Sequence, residues 1–224
     1  MTGKLSIVAT PIGNLGDITF RALWTLKECT VIYAEDTRVT AKLLTHYGLH
    51  KSVHRLDDAT EDKKAPEIIE RLLKGEHVVL VSDAGTPAIS DPGARLVARV
   101  REAGILIEAI PGPSAITTAL SIAGIQGDRF VFLGFLPHKK GRHTALVGIG
   151  KSTIPVVVYE SPHRILKLMK EMHDVAPRCR VTIVREVTKL HEEVIVGQPD
   201  DVARHLEKGK KVRGEFVVIL EPKS

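Results

Sequence analysis

Strand and helix signals alternate through the first half of the 224-residue chain. Short apolar runs with β-branched residues, such as Lys4–Ala9 and His77–Val81, are separated by amphipathic stretches such as Lys64–Lys74. Parallel strands need a long crossover connection, which a helix usually supplies, so this alternation predicts a parallel-rich sheet. The sequence therefore predicts an α/β protein.

A second α/β region begins after Gly124–Asp128, a segment with the composition of a linker. Strand-like runs resume from Phe130 onward, and several of them are spaced so that they can pair antiparallel. We expect two α/β domains, residues 1–123 and 124–224, with a ligand cleft between them.

Several classes of protein do not fit the composition. No apolar run approaches the roughly 20 residues of a membrane span, and the amino-terminal segment lacks the pattern of a signal peptide. The two cysteines, Cys29 and Cys179, are too few for a disulfide framework or a Cys-rich zinc site. We expect a cytoplasmic protein without a resident metal and without a membrane partner.

Positive charge is concentrated in the second half of the chain. The formal net charge is +5, of which residues 1–123 contribute −1 and residues 124–224 contribute +6. This asymmetry is typical of a domain that faces a polyanion, although chance composition explains it as well.

One nucleotide-binding motif and one zinc-binding motif are incomplete. Gly148–Thr153 resembles the end of a phosphate-binding P-loop, but Ala145 stands where the first glycine is needed and an apolar strand follows instead of a helix. His191-Glu192 does not continue to the second histidine of a zinc motif, because position 195 is Ile.

Six polar loops follow predicted strands. Ligands of open α/β sheets bind beyond the carboxyl ends of the strands, so these loops together predict a binding crevice, although each alone is explained by turn formation. The loops are Thr10–Asp17, Glu35–Arg38, Ser82–Gly93, Pro111–Ala115, Tyr159–Arg164 and Arg185-Glu186. At the end of the third loop, Asp91 and Pro92 also fit the cap and the first residue of a following helix.

These loops carry a family resemblance over nearly the whole chain. With Gly134–Pro137, Arg185–Lys189 and Gly214-Glu215, they resemble the small-subunit ribosomal RNA methyltransferase I family of the tetrapyrrole-methylase superfamily, the class III S-adenosylmethionine-dependent methyltransferases. The resemblance implies two α/β domains with a cofactor cleft, and a homodimer. It also implies 2′-O-methylation of a cytidine ribose in the decoding centre of small-subunit rRNA, acting on rRNA or on the 30S subunit.

The resemblance implies where S-adenosylmethionine binds. Glycines at such loops let a ligand approach the backbone closely. The implied cofactor residues are Pro11, Gly13, Asp83, Gly85, Thr86, Pro87, Ile89, Ser114, Ala115, Tyr159 and Glu160.

A ribose hydroxyl is a weak nucleophile, so a general base is expected. The sequence leaves four candidates open: Glu35 and Asp36 in the first half, and Glu186 and Lys189 in the second.

Arginine suits phosphate recognition because its guanidinium offers paired donors. The basic segments His138–His143 and Lys208–Arg213 are candidates for RNA contact, since family members commonly extend beyond the last predicted strand with a helical segment that this sequence does not show. The expected RNA-binding residues are Arg38, Lys139, Lys140, Arg142, Arg164 and Arg185.

Two other functions remain as alternatives. A tetrapyrrole or other small-molecule methyltransferase would need an apolar pocket. A non-catalytic RNA-binding protein would show no turnover and a strong salt dependence of binding.

Overall fold

A computed structural model describes residues 2–209 and 211–222 of the chain. The described chain forms two compact units that divide between Ser114 and Ala115. The sequence predicted the division between residues 123 and 124. The helix between these two positions packs against the last strand of the chain, so it belongs to the second unit.

The first unit is a five-stranded sheet with alternating helices. Its elements are β1 (Lys4–Val8), α1 (Phe20–Glu28), β2 (Val31–Ala34), α2 (Thr37–His46), β3 (Val53–Arg55), α3 (Glu61–Leu73), β4 (His77–Val81), α4 (Ala94–Glu102) and β5 (Leu106–Ile110). The strand order is β3-β2-β4-β1-β5 and every pair is parallel, which confirms the predicted parallel sheet.

Burial on both faces explains why these strands are nearly continuous apolar runs. Tyr33, Val78 and Leu80 pack with the helices on one face, whereas Val8, Ile32 and Val79 pack on the other. The first strand lies between β4, the central strand, and the edge strand β5. The loops after β1, β4 and β5 therefore leave the same edge of the sheet from neighbouring positions.

The second unit has a mixed sheet. Its elements are α5 (Ala115–Ile122), β6 (Val131–Phe135), α6 (Arg142–Gly150), β7 (Val156–Glu160), α7 (Ile165–Val175), β8 (Arg180–Arg185), β9 (Glu193–Gly197), α8 (Pro199–Lys208) and β10 (Phe216–Glu221). The order is β6-β7-β10-β8-β9, in which β6 and β7 are parallel and the other pairs antiparallel.

Helix α6 was not predicted, because two glycines and a weakly amphipathic sequence hid it. Buried Leu146 and Ile149 hold it against α7. Gly148 and Gly150, which suggested a P-loop, lie in the last turn of this helix. They therefore do not form the loop before a helix that phosphate binding requires.

The amino end of α4 is capped by a residue from another helix. The sequence suggested Asp91 as cap and Pro92 as first residue, but α4 begins at Ala94 and has no side-chain cap of its own. Glu61, at the start of α3, accepts a 2.7 Å hydrogen bond from the Leu96 backbone N–H and pairs with Arg95 at 3.2 Å. The Glu61 side chain is only 2% exposed, so this charged cap replaces the missing local one.

Glu61→Ala is expected to lower the free energy of unfolding by about 2 kcal/mol, because it leaves a buried N–H without its charged acceptor. Asp62→Ala is the matched control: its carboxylate is half exposed and should contribute below about 1 kcal/mol. Urea unfolding of the two variants measures the difference. Equal losses in both would refute the long-range cap.

No helix among residues 2–209 and 211–222 combines the length and the apolar character that crossing a bilayer requires.

Candidate active site

Two loops of the first unit are joined by a pair of backbone hydrogen bonds. The Thr10 N–H donates to the Gly85 carbonyl at 2.9 Å, and the Gly85 N–H donates to the Thr10 carbonyl at 3.0 Å. The Thr10 hydroxyl also donates to the carbonyl of Ser82, and the Ser82 hydroxyl donates to that of Gly85. The loops after β1 and β4 are therefore locked together at the carboxyl edge of the sheet.

The loop after β5 packs against the same pair. Thr86 donates from its hydroxyl to the Pro113 carbonyl at 3.4 Å. A Cβ added at Gly112 would lie 3.1 Å from the Cβ of Ala9. At Gly85, where φ is +86°, an added Cβ would lie 3.2 Å from the Ile12 side chain and 3.7 Å from the Pro113 carbonyl oxygen. The three loops thus form a cradle with closely packed backbones, which suits a small polar ligand.

This cradle brings together eight of the residues predicted for the cofactor, from three separate loops: Pro11, Gly13, Asp83, Gly85, Thr86, Pro87, Ile89 and Ser114. Ala88 and Ser90 lie in the same loop with φ of 66° and 64°, a conformation that costs energy for residues other than glycine. Strain of this kind concentrates at functional sites. Ala115, Tyr159 and Glu160 belong to the second unit, and their cofactor role stays a prediction.

A cavity of about 450 Å³ lies beside the loop after β4. The Asp36 N–H donates to Asp83 Oδ1 at 2.9 Å, which ties the loop after β2 to that after β4. The cavity carries both signs of charge, and its lining residues are Glu35, Asp36, Thr37, Arg38, Arg55 and Asp83.

Carboxyl groups crowd this region, and two of them, Glu35 and Asp91, have raised pKa values. Partial burial raises the pKa of Glu35, and the nearby Asp83, Asp58 and Asp57 carboxylates add to the effect. Burial, reinforced by Glu35, raises the pKa of Asp91 to about 6. Sequence reasoning missed Asp91 as a site residue because it interpreted this position as a helix cap.

Asp36 is poorly suited to accept a proton. Its carboxylate caps α2 by accepting from the Arg38 N–H at 2.9 Å, and it pairs with the Arg38 guanidinium at 2.6 Å. These hydrogen bonds from Arg38 hold the pKa of Asp36 far below its usual range. The Arg38 side chain is 86% exposed, so it keeps donors that face solvent.

The two candidates in the second unit form a held ion pair. Lys189 Nζ lies 2.9 Å from Glu186 Oε1 and 2.9 Å from Glu215 Oε2. Burial opposes the ammonium form of Lys189, but hydrogen bonds to Glu215 and Glu186 outweigh it and raise the pKa. Burial likewise opposes the Glu186 carboxylate, yet the Glu215 N–H and Lys189 lower its pKa overall.

Gly214 makes room for this ion pair. An added Cβ there would lie 2.4 Å from the Glu186 carboxyl carbon, and φ of Gly214 is +94°. Glu186 itself lies at φ 51° and Thr188 at φ 66°. Gly214-Glu215 contributed to the family resemblance but was not predicted as part of the site, although both residues contact the ion pair of Glu186 and Lys189.

Some of the predicted RNA-binding residues face solvent, whereas others are bonded within the protein. Lys139 and Lys140 are exposed, and Arg38 is largely so. Arg185 donates to the backbone carbonyls of Arg213 and His191.

For Arg142 the structure corrects the prediction of direct RNA contact. Its side chain is 5% exposed and pairs with Glu171 at 2.7 Å, so it does not face solvent. Arg164 is 15% exposed and pairs with Glu160 at 3.2 Å. Sequence composition counts both as free positive charge because it carries no information about burial.

The segment Lys208–Arg213 is only partly described, since Lys210 lies outside the described residues. Lys211 pairs with Glu193 at 2.5 Å, so its charge is already balanced.

The part of the chain that the structure describes contains no group of three or more His, Cys, Asp or Glu arranged to hold a metal ion. Burial raises the pKa of the Cys29 and Cys179 thiols to about 11, so neither is a ready thiolate.

Comparison with known proteins identifies the family to which the chain belongs. Residues 4–203 match the family described as Tetrapyrrole (Corrin/Porphyrin) Methylases. Ribosomal RNA small subunit methyltransferase I of Thermotoga maritima is 44% identical over 221 residues, covering 99% of both chains. The protein of the same description from Haemophilus influenzae is 46% identical and covers 100% of this chain and 80% of its own.

Solved structures of low sequence identity share the fold. Uroporphyrin-III C-methyl transferase from Thermus thermophilus, complexed with S-adenyl homocysteine, has a TM-score of 0.67 at 20% identity and 97% coverage of both chains. Diphthine synthase has a TM-score of 0.76 at 16% identity, covering 99% of this chain and 91% of its own.

The raised pKa of Asp91 predicts a pH dependence of stability. Between the unfolded pKa near 3.9 and the folded value of about 6, the folded state binds more protons, so stability falls as pH rises through this window. Asp91→Asn removes the titrating carboxyl group, so the stability of this variant lacks this pH dependence. Its free energy of unfolding relative to the wild type should therefore increase by about 1 kcal/mol from pH 4 to pH 7, allowing for solvent screening.

Urea unfolding at both pH values, with a carboxyl-carbon NMR titration, checks this expectation. An Asp91 carboxyl that titrates near 4, or a stability difference that stays constant with pH, would contradict it.

Proposed function

The chain belongs to the ribosomal RNA small subunit methyltransferase I family of the tetrapyrrole methylases, and from this premise we propose its reaction and site. The chain is an S-adenosylmethionine-dependent methyltransferase that acts on small-subunit rRNA. The finer proposal is transfer of a methyl group to the 2′-hydroxyl of a cytidine ribose in the decoding centre. The observation that supports it best is the cradle of three loops joined by Thr10 and Gly85.

The cradle fits S-adenosylmethionine in its chemistry. A ligand with a carboxylate, an ammonium group and ribose hydroxyls needs backbone donors, backbone acceptors and carboxylates close together. The positive-φ loop at Gly85 and the packed glycine at Gly112 bring backbone groups near a ligand, while Asp83 lies at the border with the cavity. The bound cofactor supplies an electrophilic methyl group; the residues of the chain orient the acceptor and accept its proton.

Glu35 is the general base in this proposal. Among the four predicted candidates, only Glu35 combines a place in the cavity wall with a raised pKa, which makes its carboxylate a stronger proton acceptor. Asp36 and Glu186 have lowered pKa values, and Lys189 is stabilised as an ammonium group.

The exposed Arg38 guanidinium lies at the same cavity, and we assign it to an RNA phosphate. Lys139, Lys140 and Arg185 are proposed as further phosphate contacts.

The remaining elements of the proposal concern assembly. They are cofactor contacts from Ala115 and Tyr159 of the second unit; the assembled 30S subunit as substrate; a homodimer; and action in the cytoplasm. The mixed charge of the cavity supports RNA over a tetrapyrrole, since the tetrapyrrole alternative calls for an apolar pocket.

The direct test incubates the protein with methyl-labelled S-adenosylmethionine and small subunits that lack the modification, followed by mapping of ribose methylation. Label at one cytidine 2′-oxygen is expected. No label in RNA would refute the proposal, and a changed absorbance of an added tetrapyrrole would favour the alternative. Naked 16S rRNA in a parallel reaction distinguishes the two RNA substrates.

Glu35→Gln should lower kcat by roughly 10²- to 10⁴-fold without weakening binding of RNA, because it removes only the proton acceptor. Asp36→Asn is the control, since Asn also caps helices and this carboxylate is tied to Arg38. Single-turnover methylation of the subunit measures both variants. If Glu35→Gln retains wild-type turnover, another group is the base.

Gly85→Ala should weaken binding of S-adenosylhomocysteine by at least about tenfold, because the added Cβ strains a left-handed residue within the cradle. Gly48→Ala is matched to it: φ is +65° there, but no atom lies within 4 Å of the added Cβ. Titration calorimetry of both variants compares the affinities. Equal weakening in both would show that general destabilisation, not the cradle, is responsible.

A further inference from the structure

Two arginines in the second unit are neutralised inside the protein. Arg142, the first residue of α6, donates from Nε to both oxygens of Glu171, at 3.2 and 2.8 Å. Arg164 pairs through Nε with Glu160, the last residue of β7, at 3.2 Å. The Glu160 side chain is fully buried. Its second carboxylate oxygen lies 3.8 Å from a terminal nitrogen of Arg142, and this oxygen has no hydrogen-bond partner among the described residues. Two carboxylates thus balance two guanidiniums.

The remaining donors of both arginines converge on one short segment, the start of the loop after β6. Arg142 donates to the Pro137 carbonyl at 3.2 Å, and Arg164 donates to the Leu136 carbonyl at 2.5 Å. The other terminal nitrogen of Arg164 lies 3.3 Å from the His138 ring nitrogen. The two guanidiniums therefore contact three consecutive residues, Leu136, Pro137 and His138. We call Arg142, Arg164, Glu160 and Glu171 the arginine clamp.

The two residues after this segment are the exposed Lys139 and Lys140. Neither forms an ion pair with any residue of the described chain. Gly141, at φ +82°, then turns the chain into α6. The loop between a clamped start and a helical end thus presents two unbalanced positive charges.

We propose that Arg142 and Arg164 are positioning residues, which hold Leu136–His138 so that Lys139 and Lys140 meet RNA phosphates without a large ordering cost. A loop that is fixed before binding loses less conformational entropy on association. A buried ion pair is no strong source of net stability, and in some proteins it fixes a defined geometry, which is the role assigned here. RNA contact rests on the proposed function, whereas the clamping of the loop does not.

The proposal assigns Glu160 a different role from a cofactor contact. Its carboxylate accepts from the Ser161 N–H at 2.8 Å and is enclosed by the two guanidiniums. Substitution at the clamp should therefore change affinity for RNA and leave affinity for S-adenosylhomocysteine unchanged.

Salt dependence of binding separates positioning from direct contact. Each phosphate contact adds roughly 0.7–0.9 to the slope of log affinity against log salt concentration. Binding to 30S subunits that lack the modification is measured in a potassium chloride series. For Arg164→Gln we expect about tenfold weaker binding with the wild-type slope. The double variant Lys139→Ala/Lys140→Ala should lose roughly 1.5 from the slope.

Arg164→Lys provides the matched control, because lysine keeps the charge but lacks the forked donors. The clamp predicts that it binds as weakly as Arg164→Gln. The proposal is overturned if Arg164→Lys recovers wild-type affinity or if Arg164→Gln leaves the affinity unchanged. It is also overturned if Arg164→Gln lowers the slope by roughly 0.8, the value of one lost phosphate contact. Equal weakening of S-adenosylhomocysteine binding would overturn it as well.

Hydrogen exchange of the free protein tests the clamp without RNA. Arg164→Gln should speed exchange of the amides of residues 138–141 while β7 stays protected. Arg164 is chosen because it is partly exposed, whereas loss of the more buried Arg142 can unfold the unit. If the wild type fails to bind the subunit, the proposed function is wrong. Unchanged exchange in the variant would show that the clamp is wrong.

Discussion

The candidate site depends on the reciprocal backbone hydrogen bonds between Thr10 and Gly85. Both residues follow parallel neighbouring strands, and the two bonds turn both loops over the same sheet edge. Gly85 meets the requirement by a left-handed conformation in a position where a Cβ would press on Ile12. With these loops joined, the loop after β5 completes the cradle through Thr86 and Pro113.

The two units use their charged residues differently. The first concentrates carboxyl groups at the sheet edge, where burial raises the pKa of Glu35 and of Asp91 and the neighbouring carboxylates add to the effect. Groups perturbed in this way are typical of functional sites. The second unit balances two arginines with two buried or partly buried carboxylates, so these arginines do not offer positive charge at the surface. What remains for RNA at the loop after β6 is the pair Lys139 and Lys140.

Much of the fold was predictable because local patterns carried it. The apolar run His77–Val81 predicted β4 with its observed bounds, and the alternation of strand and helix signals predicted the parallel sheet of the first unit. β3 was missed because three residues are too few to show a strand period. The cap of α4 was misplaced because Glu61, 35 residues before Leu96, supplies it.

The site was predictable in its loops but not in its electrostatics. Strand ends mark the loops in the sequence, and the resemblance named their residues. The ranking of Glu35 over Asp36 depends on the partial burial of Glu35 and on the hydrogen bonds that Arg38 donates to Asp36, which only the folded structure shows. The burial of Arg142 behind Glu171 has no sequence signal, because the two residues come from different helices.

The central claim is that the cofactor binds at the carboxyl edge of the first sheet. Amide hydrogen exchange with and without S-adenosylhomocysteine tests it most directly. We expect new protection in residues 10–16, 82–93 and 111–115, with no change at the opposite edge around Glu76 and Gly104. Protection confined to that opposite edge, with the three loops unchanged, would contradict the account.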